Sequence, residues 1–165
     1  MLDSETPAGE KYIAHQKDTA TRIAFATETR FLETASECVA DYLFGKRDTI
    51  WVAEVKSREL LLERGKENEF RLYDKKKNKY FSTYLISLHK ILDCLAIARL
   101  LNAKCFLFVK VIHSDQIIYW ELTEAGLDNL ETRETTTQKN VNGGSKKETN
   151  AFLPMSDMRI LLETN

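Results

Sequence analysis

The stretch Thr49-Ile-Trp-Val-Ala-Glu-Val-Lys-Ser-Arg58 predicts a buried β-strand that ends in charged residues. Apolar and β-branched residues fill its first half, and these residue types favour strands. Because side chains alternate between the two faces of a strand, Glu54 and Lys56 point the same way. Charges at the end of a central strand usually serve a function, so this pair is the first candidate for a site.

A second strand is expected immediately before it, over residues 38–44. This segment contains Asp41, and Gly45-Lys-Arg-Asp48 is typical of the turn between the two strands. If the strands pair as a hairpin, Asp41 comes near Glu54, and two carboxylates converge with Lys56. An acid-x-Lys triplet is common by chance where charged residues make up 30% of the chain. A cross-strand ion pair on a solvated sheet face therefore stands as an equal alternative at this point.

Length and composition favour one cytoplasmic domain over residues 1–165. Hydrophobic residues make up 43% of the 165, which is normal for a globular protein with its own core. No apolar run approaches the roughly 20 residues that span a bilayer, so no membrane partner is expected. The first residues show no basic and apolar pattern, so a secretory signal is not expected. The odd number of cysteines, Cys38, Cys94 and Cys105, favours reduced core residues.

The charge is unevenly distributed although the net charge is only −1. Residues 45–80 carry eleven Lys or Arg against seven Asp or Glu. A basic excess on and after the candidate strand favours a polyanion as partner near this site. It is equally compatible with a solvated surface.

Hydrophobic spacing and turn residues predict the remaining elements. The fold class is a mixed α/β sheet of about four to five strands flanked by helices, with the strand after the second helix parallel to 49–57. The expected elements are a helix over 10–26, a short strand at Phe31-Leu32, a charged mobile connection over 59–79 with a helical turn at Leu60-Leu61-Leu62, a helix over 81–101, strands over 105–112 and 116–122, and a flexible loop over 131–150.

This order of elements, together with Asp41 and Glu54-Val55-Lys56, resembles the PD-(D/E)xK phosphodiesterase superfamily. That superfamily includes type II restriction enzymes, archaeal Holliday-junction resolvases and many phage nucleases. The resemblance covers roughly residues 10–122 and implies a restriction-endonuclease-like core with the order αβββαβ. The thirteen-residue spacing from Asp41 to Glu54 looks like the resolvase branch. The helix over 81–101 and the strand after it look like phage members.

The resemblance implies a role for each matched residue. Asp41 and Glu54 would ligate Mg²⁺, for which Mn²⁺ commonly substitutes, and the Val55 carbonyl would complete the protein ligands. Lys56 would orient the attacking water and stabilise charge on the phosphate. Many members add an acid from the first helix, for which Glu10 and Asp18 are both candidates here. Alanine rather than the common proline precedes Asp41, which changes little.

The implied function is a metal-dependent DNA endonuclease, with resolvase-like action on branched DNA as one form of it, in a bacterial, archaeal or phage-infected cell. The alternative is a catalytically inactive nuclease-fold module that binds nucleic acid or a protein partner. Members that cut two strands are often dimers, so a homodimer is one expectation. The candidate DNA contacts, for each of which a solvated surface charge is the favoured alternative, are Arg58, Lys75, Lys76, Lys77, Lys79 and Lys90.

Overall fold

A computed structural model of the chain describes residues 7–35, 38, 40–136 and 147–162. The described residues form three helices separated by runs of strands, with two short 3₁₀ turns at Ile112–Ser114 and Met155–Asp157. In chain order the elements are α1 (Pro7–Thr27), β1 (Arg30–Glu33), β2 (Tyr42–Lys46), β3 (Thr49–Arg58), β4 (Leu61–Arg64), β5 (Phe70–Asp74), β6 (Lys79–Phe81), β7 (Thr83–Ser87), α2 (Leu88–Leu100), β8 (Lys104–Val111), β9 (Gln116–Leu122), α3 (Glu124–Leu127), β10 (Glu131–Thr136), β11 (Lys147–Pro154) and β12 (Arg159–Ile160).

A six-stranded mixed sheet forms the centre, in the order β1-β2-β3-β8-β9-β12. Strand β3 pairs antiparallel with β2 and parallel with β8, which confirms the predicted fold class. Because neighbouring side chains on β3 alternate, Ala53 and Val55 pack on the α1 side while Val52 packs on the α2 side. Glu54 shares the parity of Val52 and therefore faces the α2 side.

The hairpin is confirmed, but its first strand lies further along the chain than predicted. Strand β2 begins at Tyr42 rather than at residue 38, and Gly45 and Lys46 belong to the strand, paired with Ile50 and Thr49. Only two residues turn the chain, and Arg47 does so with φ 53°. Asp41 consequently lies just before the strand and not within it.

The expectation of a mobile connection over 59–79 is wrong. This segment and its neighbours form a separate three-stranded antiparallel sheet, β4-β5-β6, and Leu61–Arg64 is a strand instead of a helical turn. Leu72 is buried and pairs with Leu62 on one side and Phe81 on the other. These apolar side chains pack against the main core. Alternation of apolar and charged residues, hidden by the high charge density, was the signal for strands.

The second helix is shorter than predicted, because residues 83–87 form β7 and α2 begins at Leu88. Tyr84 and Ile86 are buried in this strand, which pairs with β11. The three-four spacing that extended the helix back to Phe81 is also compatible with alternation over so few residues. Pairing with β11, more than sixty residues away in the sequence, makes residues 83–87 a strand and not part of the helix.

The predicted flexible loop over 131–150 is corrected at both ends. Residues 131–136 and 147–150 belong to the antiparallel strands β10 and β11, which form a three-stranded sheet with β7. Residues 137–146 lie outside the described residues.

Of the cysteines, Cys94 and Cys105 are buried as expected, whereas Cys38 is exposed. Within the described ranges, no helix combines the length and apolar character that a bilayer crossing requires.

Candidate active site

The candidate site lies where β2 and β3 separate. The backbone N–H of Asp41 donates to the Ala53 carbonyl at 3.2 Å. The β2–β3 pairing ends at Ala53, and two residues further along β3 the Val55 N–H donates to Asp41 Oδ2 at 2.9 Å. A side-chain carboxylate thus replaces the backbone acceptor that a longer β2 would supply. We call this point of separation the fork; it consists of Asp41, just before β2, and Ala53 to Val55 of β3. The fork holds Asp41 beside Val55, which lies between Glu54 and Lys56 in the sequence.

Gln16 of α1 satisfies the other backbone group of Val55. Its Nε2 donates to the Val55 carbonyl at 3.0 Å and lies 3.2 Å from the hydroxyl of Tyr12, one helical turn earlier. The first half of α1 therefore packs directly over the fork. Sequence reasoning missed both residues. Their i, i+4 spacing on one helix face was the available signal.

Neither acid proposed for the first helix reaches this contact. The carboxylate of Asp18 lies 4.0 Å from Lys110 Nζ, in an ion-pair group that includes Asp115. Glu10 is exposed in the first turn of α1. From the first helix, the residue that touches β3 at the site is an amide, Gln16, and not an acid.

Glu54 is the central charge of the site and is only 1% exposed. Lys56 Nζ lies 2.6 Å from Glu54 Oε1, and Lys90 Nζ of α2 lies 3.8 Å from the same oxygen. The structure therefore brings Lys90 of α2 to Glu54. Neither carboxylate oxygen of Glu54 accepts a well-directed hydrogen bond from the described residues. The carboxylate is balanced by charge rather than by fixed donors.

Burial and neighbouring charges together raise the pKa of both Glu54 and Lys56. Burial raises the pKa of Glu54, and the like charge of Asp41 raises it further, against the attraction of Lys56 and Lys90. Burial by itself would lower the pKa of Lys56, but the attraction of Glu54, Tyr12 and Asp41 outweighs it and raises the pKa. Lys56 is thus held as an ammonium beside Glu54.

The remaining basic candidates lie on and near the β5–β6 turn. Arg58, Lys76 and Lys77 line one groove together with Tyr84. Lys76 pairs with Glu59, and Asp74 Oδ1 accepts the backbone N–H groups of Lys76 and Lys77. The Lys79 ammonium lies 5.5 Å from the ring centroid of Phe81. Lys75 is exposed in the turn.

The residues at the fork fit a hard divalent cation. Mg²⁺ takes oxygen ligands, and one or two carboxylates with waters commonly suffice. Asp41, Glu54 and the Val55 carbonyl form such an oxygen-only set, and Glu54 is a buried carboxylate without directed donors. No group of three or more His, Cys, Asp or Glu suited to a metal occurs within the described ranges. The set therefore holds two carboxylates and no third.

Comparison with known proteins shows a similarity of fold. No family model matches the sequence, and no curated protein matches it. Among solved structures, the fold is similar to that of Hjc, a Holliday junction resolvase from the archaeal hyperthermophile Archaeoglobus fulgidus. The TM-score is 0.54 at 15% sequence identity, over 88% of this chain and 85% of the other. The chain therefore has a nuclease-like fold, with a mixed sheet flanked by helices.

Proposed function

We propose that this protein is a metal-dependent endonuclease that hydrolyses phosphodiester bonds in DNA. The observation that carries the proposal is the buried Glu54 carboxylate, set between Lys56 and Lys90 beside the Asp41 fork. Burying a carboxylate is costly even when ammonium groups balance its charge, and groups with ionisation perturbed by burial cluster at functional sites. The fold similarity to a Holliday junction resolvase favours branched DNA as the substrate form.

Asp41, Glu54 and the Val55 carbonyl would hold Mg²⁺ or Mn²⁺. When bound, the metal polarises the scissile phosphate and lowers the pKa of a coordinated water. The fork prepares this set, because Asp41 is fixed by the Val55 N–H and the Val55 carbonyl is fixed by Gln16. Preorganised ligands need little rearrangement as the cation binds.

Lys56 would act on the phosphate and the attacking water. Its ammonium lies against Glu54 on the same strand face, and its raised pKa keeps it charged through the neutral range. A cation aimed at developing phosphate charge stabilises the transition state more than the ground state. Lys90 lies farther from Glu54 and would add to the positive potential that attracts the substrate.

A cleavage assay with a matched variant tests the proposal. Supercoiled, single-stranded and four-way-branched DNA are incubated with protein in Mg²⁺, in Mn²⁺ and in EDTA. Cleavage with either metal and none in EDTA is expected. Glu54→Gln, which keeps the volume and removes the charge, should be inactive on every substrate. Cleavage that survives chelation, or an active Glu54→Gln protein, would refute the metal mechanism.

Metal binding is measured independently by thermal unfolding. A ligand present at about one hundred times its Kd stabilises a folded protein by about 2.7 kcal/mol. Mg²⁺ or Mn²⁺ should raise the melting temperature of the wild-type protein and leave that of Glu54→Gln unchanged.

The alternative of an inactive module has one observation in its favour. Lys56 already lies 2.6 Å from Glu54 and balances its charge, so the carboxylate has a counter-charge without a bound metal ion. If DNA binds, no substrate is cut and no metal shifts the unfolding, the site is a structural ion pair and the protein is a DNA-binding module.

A further inference from the structure

The three-stranded sheet β4-β5-β6 presents two different faces. One face carries Leu62, Leu72 and Phe81, which pack against the main core. Because strand side chains alternate, the opposite face carries Arg71, Tyr73 and Tyr80. The sheet follows directly on β3, the strand of Glu54 and Lys56. It is therefore an anchored platform that displays an aromatic surface on the side away from the main core.

The aromatic residues of this face form an ordered stack. Tyr73 and Tyr80 are cross-strand partners, with ring centroids 4.6 Å apart and an interplanar angle of 31°. The guanidinium carbon of Arg71 lies 3.9 Å from the Tyr80 ring centroid. Although it takes part in this stack, Tyr80 is 47% exposed. A large aromatic side chain held in place and left in solvent is an available contact surface.

Two local contacts fix the geometry of the platform. The Tyr73 hydroxyl donates to Asn78 Oδ1 at 2.7 Å, which links the stack to the β5–β6 turn. Asp74 Oδ1 accepts the N–H groups of Lys76 and Lys77, which closes that turn. A rigid aromatic surface loses little conformational entropy when a ligand binds.

The charge around the stack selects a polyanion. Residues 70–81 contain five basic side chains and one acidic one. Arg71 pairs with its cross-strand partner Glu63 at 3.9 Å, and this contact helps to hold the guanidinium over Tyr80. Bases stack on tyrosine and arginine planes, while lysines contact the neighbouring phosphates. A duplex hides the faces of its bases, whereas a single strand or a branch point exposes them.

We propose that Tyr80, with Tyr73 and Arg71, is a stacking platform for unpaired bases of DNA. The proposal rests on the proposed DNA-binding function and specifies its substrate as single-stranded or branched. The basic residues of the β5–β6 turn hold the backbone, and a base stacks on the solvent-exposed outer plane of the group formed by Arg71, Tyr73 and Tyr80. A cross-strand aromatic pair that only stabilises the hairpin would show no preference for bases.

The test measures binding without cleavage, in EDTA. Fluorescence anisotropy gives the Kd for a labelled single strand and for an abasic strand of the same length and charge. The wild-type protein should bind the base-bearing strand about tenfold more tightly, a typical effect of one stacked base. Tyr80→Leu should bring this ratio close to one. Tyr80→Phe and Tyr80→Trp, which keep an aromatic face, should retain it.

The control separates stacking from charge. Changing Lys75 and Lys77 to serine should weaken binding to both strands equally and flatten the salt dependence, leaving the ratio intact. Equal wild-type affinity for the two strands overturns the proposal, as does a ratio that persists in folded Tyr80→Leu. Cleavage of duplex DNA is measured separately with Mg²⁺. If no substrate is ever cut but the strand ratio depends on Tyr80, the nuclease proposal fails and the stacking platform stands.

Discussion

Asp41 Oδ2 accepts the backbone N–H of Val55 at 2.9 Å, so a proposed metal ligand also completes the hydrogen bonding of the central sheet. The same oxygen atom would therefore link the proposed metal binding to stability. A substitution at this position removes two functions at once, and the choice of replacement residue decides whether they can be separated.

Asp41→Ala should lower the free energy of unfolding in EDTA by about 1–3 kcal/mol, because the buried Val55 N–H loses its acceptor. Asp41→Asn keeps an acceptor oxygen and should retain most of the stability. Both variants should lose cleavage, since neither carries a carboxylate for the metal. Urea unfolding measures the first effect and the DNA assay the second. Equal stability of the two variants would show that the Val55 contact contributes nothing.

Gln16 gives a second way to separate structure from metal binding. Gln16→Ala leaves the Val55 carbonyl without its amide donor and should cost about 1 kcal/mol. Gln16→Glu brings a third anion to the fork and should be less stable than Gln16→Ala in EDTA. Saturating Mg²⁺ should narrow the difference between the two variants. If Mg²⁺ does not change the difference in unfolding free energy between Gln16→Ala and Gln16→Glu, the metal binds away from the fork.

Lys56→Met should reduce turnover by about 10²-fold or more, the typical effect of removing one transition-state charge contact. DNA affinity in EDTA should change little, because the lysine contributes mainly after binding. Lys90→Met is the matched control, since this second ammonium lies at 3.8 Å from Glu54 rather than 2.6 Å. It should weaken binding and spare saturated turnover. Parallel losses of binding and turnover in Lys56→Met would instead make Lys56 a phosphate anchor.

The raised pKa of Tyr42 predicts how the free energy of unfolding changes at alkaline pH. Burial, with the charges of Glu33 and Asp41, raises the pKa of Tyr42 to about 12, above its ordinary value of 10.0. The folded state then holds its proton more tightly than the unfolded chain, so stability is full below pH 10 and falls as the pH rises towards 12. The loss should reach about 1 kcal/mol by pH 11. Urea unfolding from pH 8 to 11.5 should show this slope in the wild-type protein and a flatter one in Tyr42→Phe.

The local pattern of apolar residues was sufficient to predict an element where that element is long or continuously apolar. The first helix, the strands β3, β8 and β9, and the parallel pairing of β3 with β8 were all predicted from hydrophobic periodicity and chain order. The shared face of Glu54 and Lys56 followed from alternation alone, and the structure confirms their contact. These features depend on residues close together in the sequence, so the sequence displays them directly.

Long-range pairing decided the elements that were predicted wrongly. The segment of residues 83–87 is a strand because β11 pairs with it, and residues 59–79 are ordered because Leu62, Leu72 and Phe81 reach the core. High charge density concealed the alternation in the latter segment. A partner strand far away in the sequence supplies hydrogen bonds that stabilise a strand, and the propensities of neighbouring residues do not predict them.

The sequence alone determined which β3 residues carry charge and on which face, because strand geometry fixes alternation. Only the tertiary structure decided what surrounds them. Gln16 reaches the Val55 carbonyl because α1 packs across the fork, and Lys90 reaches Glu54 because α2 begins at Leu88. Such contacts join segments that lie more than thirty residues apart, so they arise from packing of the whole sheet and its helices. Burial of Glu54, and with it the raised pKa, is likewise a property of that packing.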